Sequence, residues 1–190
     1  LVPVPRHKAL AVVNFATSDE AFRSVPGLLT LQPDAIELMD SVLLRLTAAA
    51  PRWRDRLTFI DGWPEAVFVV EFSGDDERLL ANRLAALDHH LAAEGYRGEV
   101  VRLTDRAAQA NVWAVRKAGL GLLASMKGDA KPTPGIEDVA VPPECLAAYM
   151  ADLHALLDGR GIASAMYAHA SAGCIHVRPI LNLKTAAGVN

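Results

Sequence analysis

The densest chemistry in the sequence lies between Ala168 and Arg178, AHASAGCIHVR. Side chains alternate along a strand, so Cys174, His176, Arg178 and Ile180 fall on one face while Ile175, Val177, Pro179 and Leu181 fall on the other. His176 and Arg178 then project side by side, about 7 Å apart. If a preceding strand ends at His169 and pairs back across Ser171 to Gly173, His169 returns close to His176, and two imidazoles can converge on one divalent metal. As a catalytic zinc site the pair is incomplete. Such sites take three protein ligands and keep one position open, so a third ligand, a carboxylate by its chemistry, has to come from elsewhere. The plainer reading is that each histidine hydrogen-bonds alone at a strand end, because spacing by itself is weakly specific.

A second group is Trp113-Ala114-Val115-Arg116-Lys117, with Lys127 and Lys131 in the loop beyond it. Arg116 offers the planar two-pronged donor that a carboxylate substrate needs, and Trp113, three residues earlier on the same helix face, is placed to brace it. The two lysines read first as solvated surface charge, because isolated charge spacing says little, and second as substrate-binding cations. A third group, Glu137-Asp138-Val139-Ala140-Val141-Pro142, brings carboxylates to a strand entrance, either to orient nearby basic groups or simply to face water. Glu144 reads as a favourable charge near a helix start. His7, His89, His90 and His154 receive no role.

These groups need elements to hold them. Lys8 to Thr17 reads as a strand running into a helix start at Ser18. From Pro33 and Asp34 a second helix is expected, with Ile36, Met39, Val42, Leu43 and Leu46 at helical spacing until Pro51 interrupts it. Ala66 to Phe72 is an apolar run typical of a strand covered on both faces. Asp75 and Asp76 open a long amphipathic helix that ends at Gly95, followed by a short strand, Glu99 to Leu103, and a helix from about Asp105 into the 120s. After the loop Lys127 to Gly135 come a short strand, Val139 to Val141, and a helix that starts at Pro142-Pro143-Glu144 and ends at Gly159 to Gly161. The last two strands, Ala163 to His169 and Cys174 to Leu181, are joined by about four residues, which demands an antiparallel hairpin. One α+β domain over residues 1–190 is expected, with a mostly antiparallel sheet and helices packed on one face.

Composition agrees: 52% of residues are hydrophobic and 22% charged, which excludes a disordered chain. The net charge is −3 and the basic residues are scattered, which argues against nucleic acid as a partner. No apolar stretch reaches the roughly 20 residues of a membrane span, and Leu1 to Lys8 is no signal peptide, so the expected location is cytoplasmic. Cys145 and Cys174 read as reduced thiols. A chain opening on Leu1 and closing on Asn190 reads as a piece of a longer one.

The Trp-x-x-Arg-Lys run at 113–117, the Glu-Asp-x-Ala-Val-Pro run at 137–142 and the His-x6-His at 169–176, in this order, resemble the C-terminal cap domain of FAD-linked oxidases of the vanillyl-alcohol oxidase type, whose members include D-lactate, glycolate and D-2-hydroxyglutarate dehydrogenases. The phrases RKAGLGLL, EDVAVPPE and GCIHVRPILNLKT are most similar to the long bacterial members that fuse the flavin part to an iron-sulfur part. The resemblance implies a ferredoxin-like sheet over the flavin, a D-2-hydroxy acid as substrate, and FAD bound mainly by another domain of the same parent chain. It further implies that His169 and His176 act in catalysis by holding a divalent metal such as zinc, iron or manganese, and that Arg116 clamps a carboxylate. Many relatives carry Asn two residues after the second histidine, where this chain has Arg178, a cation that can meet the substrate carboxylate directly. An iron-sulfur cluster, an unidentified electron acceptor, a second copy of the chain and a peripheral attachment of the parent to the inner membrane complete the expected partners. The competing reading is a ferredoxin-like sensor of the ACT type or a dimerisation module without enzymatic activity.

Overall fold

The nine residues His7–Phe15 are apolar on both faces, and they form β1, a strand that requires cover above and below the sheet. In the computed structural model, which describes residues 4–60 and 62–189, Ala9, Ala11, Val13 and Phe15 enter one core and Leu10 and Val12 a second. The ends beyond, at Leu1 and Asn190, lie outside the described residues.

The chain continues as α1 (Ser18–Leu29), β2 (Ala35–Asp40), α2 (Ser41–Ala49), β3 (Ala66–Gly74), α3 (Glu77–Ala93), β4 (Val100–Leu103), α4 (Arg106–Ala124), β5 (Lys131–Pro132), β6 (Ile136–Ala140), α5 (Leu146–Asp158), β7 (Ser164–His169), β8 (Cys174–Leu181) and α6 (Ala186–Val189). Every strand pairing is antiparallel. The sheet order is β4-β1-β3-β2-β7-β8-β5, with β6 also on β8. Its first four strands, with α1 and α3, make the split βαβ arrangement of a ferredoxin-like fold, and the hairpin β7–β8 extends the sheet from the edge of β2.

Two expectations are corrected. The helix expected from Asp34 begins only at Ser41, because Ala35–Asp40 is β2, paired to β3 on one side and β7 on the other. The Asp40 side chain stops the strand and starts the helix by accepting the Leu43 N–H at 2.8 Å. Helices on one face describes α1, α3 and α5, whose apolar stripes fill the first core. Helices α2 and α4 cover the opposite face through Leu43, Leu44, Val112, Val115 and Leu122, a consequence of the two-sided hydrophobicity of β1 and β3.

The β7–β8 connection is a 3-10 turn, Ala170–Ala172, closed by Gly173 at φ +67°. A Cβ there would collide with the Val141 carbonyl oxygen as well as strain the left-handed backbone, so the turn needs glycine. No described helix is long and apolar enough to cross a membrane.

Candidate active site

Along β8, Ile175 and Val177 are buried in the first core, which sends Cys174, His176 and Arg178 to the opposite face. In β7 the register sets Tyr167 against His176 and His169 against Cys174. The result is a cluster beside α4, on the side of the sheet that carries α2 and α4. The imidazoles of His169 and His176 stand edge to face with centroids 5.5 Å apart, and His176 stacks on Tyr167 at 4.6 Å. The two rings therefore share one face.

β2 contributes a residue with no motif around it in the sequence. Glu37 lies opposite His169 in the β2–β7 register, with Oε1 2.7 Å from His169 Nδ1. Its Oε2 accepts from Arg116 Nη2 at 2.9 Å. Arg116 reaches in from α4 with its guanidinium carbon 4.9 Å from the centre of the Tyr167 ring, and its Nε is buried without a hydrogen-bond partner among the described residues. The brace expected from Trp113 is supplied instead by Tyr167 and Glu37, while Trp113 packs against the second core.

Of the two acids at 137–138, Glu137 orients the site. Its Oε1 accepts from Arg178 Nε at 2.8 Å and from the Tyr167 hydroxyl at 3.2 Å, and lies 2.7 Å from Arg178 Nη2 in the same ion pair. Asp138 lies 3.5 Å from His176 Nδ1 with its own carboxylate mostly exposed. Consecutive residues of a regular strand point to opposite faces, so both acids reach this cluster only because β6 is irregular between Ile136 and Val139, with Asp138 at φ +56°.

Burial lowers the pKa of His176, opposed by the Asp138 charge, so the ring is neutral at neutral pH and keeps a lone pair for a ligand or proton. Burial raises the pKa of Tyr167, offset partly by Arg178, so its hydroxyl remains a donor. Ligand atoms of Asp138, Cys174 and His176 lie within 4.8 Å of one another. Asp138 faces Nδ1 of His176, however, while the Cys174 sulfur is 3.9 Å from Nε2, so they address opposite edges of one ring.

The structure thus brings Arg116, Arg178, His169 and His176 together. Lys127 is exposed in the loop after α4, whereas Lys131, expected in the same loop, is exposed in the short strand β5 on the edge of β8, and its Nζ donates to the Met126 carbonyl. A hollow of about 690 Å³ lies elsewhere, beside Phe15, Leu91 and Tyr96, and holds none of these side chains.

Residues 4–190 match the model of the C-terminal domain of FAD-linked oxidases. The chain belongs to this family. It is 34% identical over 190 residues to D-2-hydroxyglutarate dehydrogenase of Pseudomonas putida, covering 97% of this chain and 19% of that protein. To the protein of the same name from Escherichia coli it is 35% identical over 193 residues, 95% of this chain and again 19% of the relative. The chain therefore spans about a fifth of the curated relatives it matches. Among solved structures it is similar to p-cresol methylhydroxylase with substrate bound, at TM-score 0.68 and 12% identity, over 98% of this chain and 41% of that one. It is also similar to 4-ethylphenol oxidase from Gulosibacter chungangensis in its isoeugenol complex, at TM-score 0.63 and 12% identity, over 99% and 42%. At that identity the two structures establish the fold.

Proposed function

We propose that this chain is the substrate-binding cap domain of an FAD-dependent dehydrogenase that oxidises a D-2-hydroxy acid, D-2-hydroxyglutarate being the leading candidate, to the 2-oxo acid. The observation that carries the reading is the convergence of two imidazoles and two guanidinium groups on one sheet face, each beside a carboxylate that orients it. An anionic substrate with a hydroxyl beside its carboxylate suits such a site. Arg116 meets a carboxylate, stacked as it is on Tyr167 and still carrying an unpartnered Nε–H. Arg178 is the second candidate cation, which favours a dicarboxylate over lactate or glycolate. Lys127 and Lys131, both exposed, act at longer range, drawing the anion toward the site.

The histidines fit a divalent ion. Two rings ligating one tetrahedral ion place their centroids roughly 5 Å apart, near the observed 5.5 Å. His169 has its Nδ1 on a carboxylate, the arrangement usual for metal-bound histidine, and His176 is neutral. His169 and His176 would hold the ion, which supplies Lewis acidity toward the substrate hydroxyl and carboxylate. Zinc, iron and manganese all accept such ligands.

FAD supplies the hydride acceptor when bound in the parent protein. The starts of α1, α2, α3 and α4 do not fit its pyrophosphate, because they are closed by the side chains of Thr17, Asp40, Asp76 and Asp105, three of them carboxylates that repel phosphate. The two cysteines of this chain, Cys145 and Cys174, are likewise too few for a four-cysteine iron-sulfur cluster, so any such centre belongs to the rest of the parent.

The test is to replace Arg116 and His176 by Ala, separately, in the parent enzyme and to measure kcat/KM over a panel of D-2-hydroxy acids. Losses on the order of 100-fold or more are expected for each. Unchanged rates in both variants would remove the assignment.

A further inference from the structure

We infer that Glu37 is the positioning residue of this site, a single carboxylate that selects the tautomer of His169 and anchors the guanidinium of Arg116 at the same time. For what the two side chains do, the inference rests on the function proposed above; for how they are held, it rests on the geometry alone.

Glu37 is placed by backbone pairing rather than by side-chain reach. It sits in β2 between β3 and β7, with Ile36 and Leu38 buried on the far side of the sheet, so its side chain must project onto the face that carries His169 and Arg116. The side chain is only 12% exposed, and its two oxygens are divided, Oε1 at 2.7 Å from His169 Nδ1 and Oε2 at 2.9 Å from Arg116 Nη2. A carboxylate accepts hydrogen bonds and donates none, so the neutral His169 ring must carry its proton on Nδ1. Nε2 is then left with the lone pair that a metal ion or a hydroxyl proton requires. On the other side, one guanidinium nitrogen of Arg116 is committed to Glu37 while the Tyr167 ring fixes the plane, which leaves the remaining donors pre-aimed. One residue thereby sets the distance between the imidazole and the cation, the quantity that a two-point grip on a hydroxy acid depends on.

Two variants separate the two roles. Gln at position 37 can still accept from His169 Nδ1–H through its amide oxygen, but it presents no negative charge to Arg116. Ala supports neither. The first measurement needs no substitution: side-chain 15N NMR of the full 190-residue chain, at a pH where His169 is neutral, is expected to show the proton on Nδ1 and slowed rotation of the Arg116 guanidinium. Glu37→Gln is expected to keep the tautomer and free the guanidinium, whereas Glu37→Ala changes the tautomer to the Nε2–H form and frees the guanidinium. A proton on Nε2 of His169 in the wild-type chain, or a freely rotating Arg116, overturns the inference. In the parent enzyme, Glu37→Gln is expected to raise KM about tenfold with a smaller change in kcat, and Glu37→Ala to lower kcat about 10- to 100-fold as well. If Arg116→Ala and His176→Ala lower turnover while neither Glu37 variant does, Glu37 is not a positioning residue. If none of the four variants affects turnover, the proposed function fails and the tautomer measurement still decides what Glu37 does to His169.

Discussion

Arg178 keeps three groups in one arrangement. Its guanidinium reaches Glu137 through two nitrogens, and the same carboxylate oxygen takes the Tyr167 hydroxyl. With side chains 12% and 21% exposed, the pair lies between a surface ion pair and a fully buried one. Removing one partner leaves the other partly desolvated and unpaired, so Glu137→Ala is expected to lower unfolding stability by about 2 kcal/mol, and Glu137→Gln by about half of that. Urea denaturation of the full chain checks this, and a loss below about 0.5 kcal/mol would mean that the pair behaves as a solvated one. At this scale the sequence was readable where the strand period of two applied. His169, His176 and Arg178 fall where alternation puts them, and of the acids at 137–138 Glu137 orients a base, as one reading had it, while the carboxylate of Asp138 faces water, as the other had it. Glu37 was unreadable because, inside an expected helix, it was one more solvent-facing acid.

That expected helix is the main error at the scale of elements. Ile36, Met39, Val42, Leu43 and Leu46 keep a helical spacing, yet the spacing runs straight across a boundary at Asp40. Strand and helix happen to place apolar residues in register with one period, and the alternation of Ile36, Glu37 and Leu38 is too short to stand out against it. By contrast Cys174–Leu181 was read to the residue, since a hairpin strand with one buried face alternates cleanly. Asp40 itself joins the two kinds of element. One carboxylate oxygen caps α2, and the other accepts the Met166 N–H of β7 at 2.6 Å. Burial raises its pKa from 3.8 to about 7 despite these bonds. Between about pH 4 and 7 the folded state holds a proton on Asp40 that the unfolded state has released, so this group favours folding most fully below pH 4 and loses that contribution as pH rises toward 7. Stability curves for the wild type and Asp40→Asn, measured by urea between pH 4 and 7.5, are therefore expected to differ in slope by up to a few kcal/mol over the window. Parallel curves would show that Asp40 titrates normally.

For the molecule as a whole, the α+β class and the antiparallel sheet were legible, and the second helical layer was not. Cover on both faces is announced by the apolar runs of β1 and β3, but nothing in α2 or α4 alone says which side each will take. The acid-capped helix starts lead to a prediction at this scale. The chain mixed with excess FAD and then desalted is expected to be colourless, and a yellow, flavin-loaded preparation would mean that phosphate recognition resides here after all.

The junction of β2 with β7 carries a further consequence. It consists of three residue pairs, Glu37 with His169, Leu38 with Ala168 and Met39 with Tyr167, and it is the seam between the ferredoxin-like unit and the added hairpin. Glu37 and Arg116 stand on one bank of that seam, and His169, His176 and Arg178 on the other. A slip of two residues would preserve every inward-facing position and most buried apolar area, while parting the carboxylate from its imidazole. Substitutions near this short join can thus silence the parent enzyme and leave a soundly folded domain behind, a class of lesion that thermal melting alone would miss.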